Sequence, residues 1–220
     1  MPQITINGKT CEYKPGQVII QVANDNGIDI ETYASLGTVS QSVSIAGNSI
    51  VQNDDDGIHV RNRAPEESQI SQSLEISGNT IASNFDDGID VRSYLSNGVG
   101  LSQTVNVAGN LIDNSGDEAI DIFLRGEDGV TASQGIAISG NSALNSGDYG
   151  IRVASYLSSG SSLTQSVAIS GNVVDRADED GIFVVATAYN HSSVTQTVAI
   201  TGNSVNDTGE DGIYVGIGAF

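Results

Sequence analysis

From Val39 onward, apolar residues recur at every second position in short runs: Val39, Val43 and Ile45, then Ile50, then Ile58 and Val60. The same set returns as Ile70, Leu74 and Ile76, then Ile81, then Ile89 and Val91, and again from Leu101, Val105 and Val107. Alternation by two predicts strands with one inward face, and the β-branched residues suit it. The spacing of the unit is read from its Gly-Asn pair, at Gly47-Asn48, Gly78-Asn79, Gly109-Asn110, Gly140-Asn141, Gly171-Asn172 and Gly202-Asn203, each 31 residues after the last. Ser35 to Phe220 divides into six such units with no insertion or deletion. An unbroken period of this kind means one unit stacked on itself, each copy packing on its neighbours.

Three short strands per unit, separated by Gly-Asn, by an acidic glycine-containing turn and by a longer polar loop, describe one coil of a parallel β-helix. Six coils at about 4.8 Å each make a rod on the order of 29 Å long. In register, every sequence column becomes a physical ladder. Asn48 and its equivalents are expected to bond to one another and to turn backbone. Gln41, Gln72, Gln103, Gln134, Gln165 and Gln196 share the parity of the inward valines, which predicts a second amide ladder.

Ahead of the array, Ile4-Thr5-Ile6 and Thr10-Cys11-Glu12-Tyr13 flank Asn7-Gly8, a hairpin signal. Val18, Ile19, Val22 and Ala23 then sit at helical spacing before Gly27. The expected division is an N-terminal hairpin-helix cap over residues 1–34, covering an apolar end of the solenoid, and an all-β array over residues 35–220.

Two resemblances follow. Ile4-Thr5-Ile6-Asn7-Gly8-Lys9, with Pro15-Gly16-Gln17-Val18-Ile19 and Gly27-Ile28-Asp29-Ile30, resembles the opening of the 2Fe-2S ferredoxin-like domain in the complex I large subunit and in iron-only hydrogenases. That family then supplies cluster cysteines; here Cys11 is the one cysteine, so no iron-sulfur cluster is expected. The recurrent Gly-Asn-x-Ile followed by Asp-Asp-Gly-Ile-x-Val resembles the repeats of the pectate-lyase-like superfamily, which implies a right-handed parallel β-helix over residues 35–220. Its members include lyases, hydrolases, epimerases, tailspikes and adhesins, so the fold limits function weakly.

Net charge is −19 with only Lys9 and Lys14 as lysines, which excludes a nucleic-acid backbone as partner and makes divalent cations the expected one. A lone cysteine excludes a disulfide framework within the chain. No apolar stretch reaches membrane length, so no membrane span is expected. The start shows no secretory signal, while the composition suits an extracellular or cell-surface setting.

The acidic turn sets Asp55, Asp86, Asp117, Asp148, Glu179 and Glu210 in one column and Asp56, Asp87, Glu118, Tyr149, Asp180 and Asp211 in the next. Like charges at about 5 Å repel by on the order of one to a few kcal/mol per pair at surface dielectric. Two compensations stand open. Either the carboxylates accept backbone N–H groups, with Gly57 and its equivalents taking positive φ, or Asp55, Asp56, Asp86, Asp87, Asp117 and Glu118 hold calcium between coils.

One outward column changes from coil to coil: His59, Asp90, Asp121, Arg152, Phe183, Tyr214. Asp90 and Asp121 one coil apart, with Arg92 and His59 nearby, suit a glycosidase; Asp86, Asp87, Asp90 and Arg92 equally suggest a metal-assisted uronate lyase; and the same residues read as ordinary exposed strand residues with an Asp–Arg pair. Ser40, Ser42 and Ser44, with Ser71, Ser73, Ser102, Thr104, Ser133, Ser166, Thr195 and Thr197, predict a flat hydroxyl lattice suited to ice-like water, a glycan surface or a second copy. The polar loops, expected from Asn62 to Gln69 and at equivalent positions, carry Tyr94, Tyr156, Tyr189 and His191, types that stack on sugars. The last strand leaves an apolar end, for which a tucked Phe220, a further segment or end-to-end homo-oligomer contact is expected, with the Ser/Thr face as the other self-association surface.

Because nearly every suggestive group recurs in all coils, the pattern favours a non-enzymatic solenoid scaffold or binding module, calcium-stabilised and carbohydrate- or surface-binding. The alternative is a polysaccharide lyase, hydrolase or epimerase using His59, Asp90, Arg92 and Asp121 on an acidic glycan. A lesser one is an ice-binding or self-assembling solenoid.

Overall fold

A computed structural model describes residues 3–6, 9–12 and 27–220. Gln3–Ile6 and Lys9–Glu12 pair antiparallel with Ile6 opposite Lys9, as the hairpin pattern requires. The helix expected over residues 17–26, and with it the capping role, lies outside the described residues.

The array is a three-sided parallel β-solenoid. A glutamine sheet holds six nine-residue strands, Thr38–Ala46, Gln69–Ser77, Gly100–Ala108, Thr131–Ser139, Ser162–Ser170 and Ser193–Thr201. A short sheet runs from Ser49–Val51 to Ser204–Asn206. The variable sheet holds Ile58–Ala64, Ile89–Leu95, Ile120–Gly126, Ile151–Leu157, Ile182–Ala188 and Ile213–Ala219, plus Ile28–Tyr33 ahead of them. Ile28–Tyr33 pairs with Ile58–Ala64 as Ile28 to Ile58, a step of 30 residues where every later step is 31. The variable sheet therefore begins seven residues before Ser35.

The strands of the variable sheet run further than the sequence pattern indicated. Asn62-Arg63-Ala64 and Ser93-Tyr94-Leu95 are strand, not loop, because Asn62 and Ser93 point inward to polar partners and Ala64 and Leu95 to apolar ones. The glutamine ladder explains this. Each Gln Nε2 donates to the Oε1 of the preceding coil, from Gln196 down to Gln41, at 2.7–2.8 Å. Opposite it, Thr32 Oγ1 donates to Gln41, Asn62 Nδ2 to Gln72, and Ser155 Oγ accepts from Gln165. This polar layer divides the interior. On one side lies the main core of Val43, Ile45, Ile50, Ile58, Val60 and their equivalents; on the other, a second core of Ala64, Ile70, Leu95, Leu101, Leu124 and Leu157.

The asparagine ladder runs at the Gly-Asn turn, where Gly47 takes a φ of 67°. Asn48, Asn79, Asn110, Asn141 and Asn172 each donate Nδ2 to the Oδ1 of the next coil at 2.9–3.0 Å. The backbone N–H of the same residue donates to that same oxygen at 2.8–2.9 Å. The glycines after the acidic turn play a different part from the one expected. Gly57 is not at positive φ; a Cβ there would fall 2.5 Å from Ile81 Cγ2 and 2.7 Å from Gly88 O. The one alanine in this column, Ala119, stands where the corresponding short-strand residue is Ala143 rather than isoleucine or valine.

On the glutamine sheet the outward serines and threonines are exposed, and Glu75 is the one charged side chain among them. At the last coil Ile213, Val215 and Ile217 are exposed, and Phe220 stacks on Tyr189 at 5.4 Å without covering them. No helix among the described residues is long and apolar enough to cross a membrane.

Asn110→Ala removes the acceptor of two bonds from Asn79 and the donor to Ile76 O, so it is expected to cost about 2–4 kcal/mol in urea unfolding. Asn203→Ala removes the equivalent three bonds at the half-buried last rung, where water can replace them, and should cost distinctly less.

Candidate functional site

The acidic turn and the first outward column of the variable sheet meet in a polar cluster. Strand pairing sets Asp29, His59, Asp90, Asp121 and Arg152 in one column, each opposite the next. Two residues further along, Arg92 folds back over it. Arg92 Nη2 donates to Asp87 Oδ2 at 3.0 Å, and Nε lies 2.8 Å from Asp90 Oδ1 and 3.6 Å from Asp121 Oδ2. Arg152 Nη1 donates to Asp121 Oδ2 at 3.0 Å and lies 3.4 Å from Glu118 Oε1. His59 Nε2 sits 3.4 Å from Asp90 Oδ2, with Nδ1 3.7 Å from Asp29 and 3.8 Å from Asp56.

The sequence-predicted set of His59, Asp90, Arg92 and Asp121 is therefore brought together. Asp90 and Asp121 are nonetheless 0 % exposed, which corrects their reading as ordinary exposed strand residues. Outward parity placed them at the surface, and the folded-back arginines and His59 close over them. Arg152 in turn lies 5.6 Å over the Phe123 ring and 5.9 Å over that of Tyr149. Beyond it the column is aromatic: Phe183 stacks on Tyr214 at 5.2 Å, and Tyr149, from the acidic turn, packs tilted against Phe183 at 4.9 Å.

Of the sequence-predicted metal residues, the inner ones are engaged by backbone. Asp56 Oδ1 accepts from Asp87 N at 3.0 Å, and Asp87 Oδ1 from Glu118 N at 2.9 Å. Asp180 does the same for Asp211. Glu118 faces Arg152. The outer Asp55 and Asp86, with the inner Asp56, bring carboxylate oxygens within 4.8 Å of one another at a partly open corner, and Asp117 beside Asp86 raises its pKa. That corner suits a hard cation. The buried Asp87, Asp90 and Asp121 also bring oxygens within 4.8 Å of one another, but Arg92 already pairs with all three.

Electrostatics follow from burial. Asp56, Asp87, Asp90, Glu118 and Asp121 face only two guanidiniums, and Asp90 meets Arg92 Nε and His59 Nε2 without a well-directed hydrogen bond to either of its oxygens. Burial pushes Asp90 up to about 8, Asp56 to about 7 and Asp121 to about 6. Asp87 rises too, through burial and then through Glu118 beside it. Burial, with Arg61 and Arg92 nearby, lowers His59 to about 4, so it is neutral at neutral pH. Protons thus supply what the arginines do not.

Further out on the same sheet, sequence reasoning missed a surface because it took the strand ends for loops. A shallow cavity of about 520 Å³ is lined by Tyr33, Arg63, Tyr94, Arg125 and Glu127 among others. A second, of about 430 Å³, is lined by Phe123, Arg125, Tyr156 and Tyr189 among others. Tyr94, Phe123 and Tyr156 form a continuous row with centroids 5.8 Å apart.

Residues 39–219 match the family described as the right-handed beta helix region. The chain belongs to the right-handed β-helix family. The match leaves residues 1–38 outside it, including the stretch that resembles the ferredoxin-like opening. No curated protein sequence and no solved structure matches the chain. β-Helices carry many unrelated functions, so the role of this one has to come from its surfaces.

A carboxyl whose pKa is raised by folding binds its proton more tightly in the folded state. Its contribution is full below the ordinary carboxylate value and is lost as pH rises through the folded value. Asp121, Asp56 and Asp90 place that loss between about pH 4 and about pH 8, while His59 acts oppositely below about pH 6.5. In chelator, the melting temperature is therefore expected to fall by about 5 °C or more from pH 6 to pH 9. Asp90→Asn should flatten that slope.

Proposed function

We propose that this protein is a non-catalytic β-helix module that binds an extended carbohydrate chain lengthwise along the outer edge of its variable sheet. The observation that carries this reading is the row of exposed or half-buried aromatic rings, Tyr33, Tyr94, Phe123, Tyr156 and Tyr189, beside two adjoining shallow cavities. Aromatic faces stack on the apolar faces of sugars, and the rings of Tyr94, Phe123 and Tyr156 follow one another at 5.8 Å, on the scale of one sugar in an extended chain. Coils of constant length offer an open track rather than a deep cleft.

The second reading is a hydrolase, lyase or epimerase of an acidic glycan working through His59, Asp90, Arg92 and Asp121. Their convergence, with a carboxyl held protonated at neutral pH, speaks for it. The complete burial of both aspartates speaks against it, because a general acid or base must come within hydrogen-bond reach of the reacting oxygen or carbon acid. The cluster is read instead as an internal brace. Calcium is proposed at the partly open corner of Asp55, Asp56 and Asp86, between adjacent coils.

Binding to immobilised polysaccharides tests the module reading. Wild-type protein should retain at least one glycan without altering its length, and Tyr94→Ala is expected to weaken binding about ten-fold, or about 1.4 kcal/mol. No retention by any glycan, or chain cleavage that Asp90→Asn abolishes, would overturn it. For calcium, excess Ca²⁺ at fixed ionic strength is expected to raise the melting temperature by about 5 °C, an effect absent in Asp86→Asn. An equal melting temperature in chelator would remove the metal.

A further inference from the structure

The outermost column of the variable sheet has a two-coil period that simple aromatic stacking does not require. In register, Tyr33 lies opposite Arg63, Arg63 opposite Tyr94, Tyr94 opposite Arg125, and Arg125 opposite Tyr156. Ring and guanidinium alternate over five coils, until Thr187 and Gly218 end the pattern. With coils about 4.8 Å apart, the backbone positions of the two arginines are about 9.6 Å apart, and so are those of successive tyrosines.

The column is open to a ligand. Tyr33 is 62 % exposed and Tyr94 37 %, and Arg63 and Arg125 are exposed. Both shallow cavities lie along it and share Arg125 and Glu127. Among the described residues no carboxylate lies within ion-pair distance of Arg63, and the partner of Arg125 is Glu127 at 2.6 Å. That pair is solvent-exposed, so it is weak and a ligand anion can exchange into it.

The placement of charge is equally uneven across the molecule. Of eight basic side chains, two are lysines, and five of the six arginines, Arg61, Arg63, Arg92, Arg125 and Arg152, stand on this one sheet of a chain carrying −19. Arg92 and Arg152 are consumed by the buried carboxylates. Arg63 and Arg125 face outward instead.

We propose that this column selects a linear polysaccharide bearing a carboxylate on every second sugar, a specificity that rests on the carbohydrate reading above. Arg63 and Arg125 each pair with one carboxylate, in the planar two-pronged geometry that guanidinium offers. Tyr33, Tyr94 and Tyr156 stack on the uncharged sugars between. A chain charged on every sugar sets a carboxylate over each tyrosine and meets twice the repulsion from the acidic body. A neutral chain leaves both guanidiniums without an anion.

Isothermal titration of the full chain with three octasaccharides tests this: hyaluronan, with a uronate on alternate sugars; polygalacturonate, with one on every sugar; and a neutral β-1,4-glucan. Hyaluronan is expected to bind at least about ten-fold tighter than either of the others. Arg63→Gln with Arg125→Gln should abolish that preference while keeping the weaker neutral binding and the wild-type melting temperature, and Arg63→Lys with Arg125→Lys should restore it only in part. Equal affinity for the neutral chain, tightest binding to polygalacturonate, or a preference that survives the glutamine pair would overturn the alternating-charge proposal and leave the carbohydrate reading standing. Absence of binding to all three would overturn the alternating-charge proposal, and, joined to no retention on any immobilised polysaccharide, the carbohydrate reading as well.

Discussion

Everything in this structure depends on the requirement that each inward amide find its counterpart one coil away. A buried glutamine left without a partner costs on the order of 1–3 kcal/mol, and five of them, with the half-buried Gln196 at the end, stand in a file between two apolar compartments. The cost is avoided only if successive coils hold strict register. An inserted residue would break the glutamine and asparagine ladders together, and would turn the alternating valines and isoleucines toward solvent. Constant coil length is thus a condition of folding, and it also removes long loops as a source of function. What remains free to vary is the chemistry of outward columns.

The variable sheet uses that freedom in two ways. Near the acidic turn it accumulates carboxylates, which cannot all be charged in so little space. Folded-back Arg92 and Arg152, backbone N–H groups of the following coil, and retained protons offset them. Such a cluster binds adjacent coils to one another and gives the fold a preference for mild acidity. At the far edge the same sheet carries exposed and half-buried tyrosine, arginine and phenylalanine, where a polymer lying parallel to the solenoid axis would meet one side chain per coil. An enzyme site in a β-helix and a binding track draw on the same geometry. Here the groups suited to proton transfer are sealed, and those suited to contact are exposed.

Much of this was legible in the sequence, because a 31-residue period turns alignment of the chain with itself into a map of neighbours. The solenoid and both amide ladders followed from parity and spacing, as did the placing of Asp90 and Asp121 one coil apart with His59 and Arg92 nearby; whether those four converge did not. Three further features did not follow. Parity marks Asp90 as outward but is silent about which long side chain folds over it, so its burial depends on the rotamers of Arg92 and Arg152. Gly57 looked like a turn glycine, whereas it is small because Ile81 and the Gly88 carbonyl of the next coil leave no space for a Cβ. Asn62, Ser93 and Ser155 made the strand ends look like loops; their polar side chains are inward because the glutamine file needs partners there. Taking them as loop residues concealed the alternating Tyr–Arg column beside them.

The most direct test of the account is amide chemical-shift mapping by NMR as an alternating uronate oligosaccharide is titrated into the labelled protein. The account predicts that the largest shifts fall on Tyr33, Arg63, Tyr94, Arg125 and Tyr156 and their sequence neighbours, while Asp90, Asp121 and the Ser/Thr face of the glutamine sheet stay still. Shifts centred on His59, Asp90 and Asp121, or spread over the Ser/Thr lattice, would contradict it.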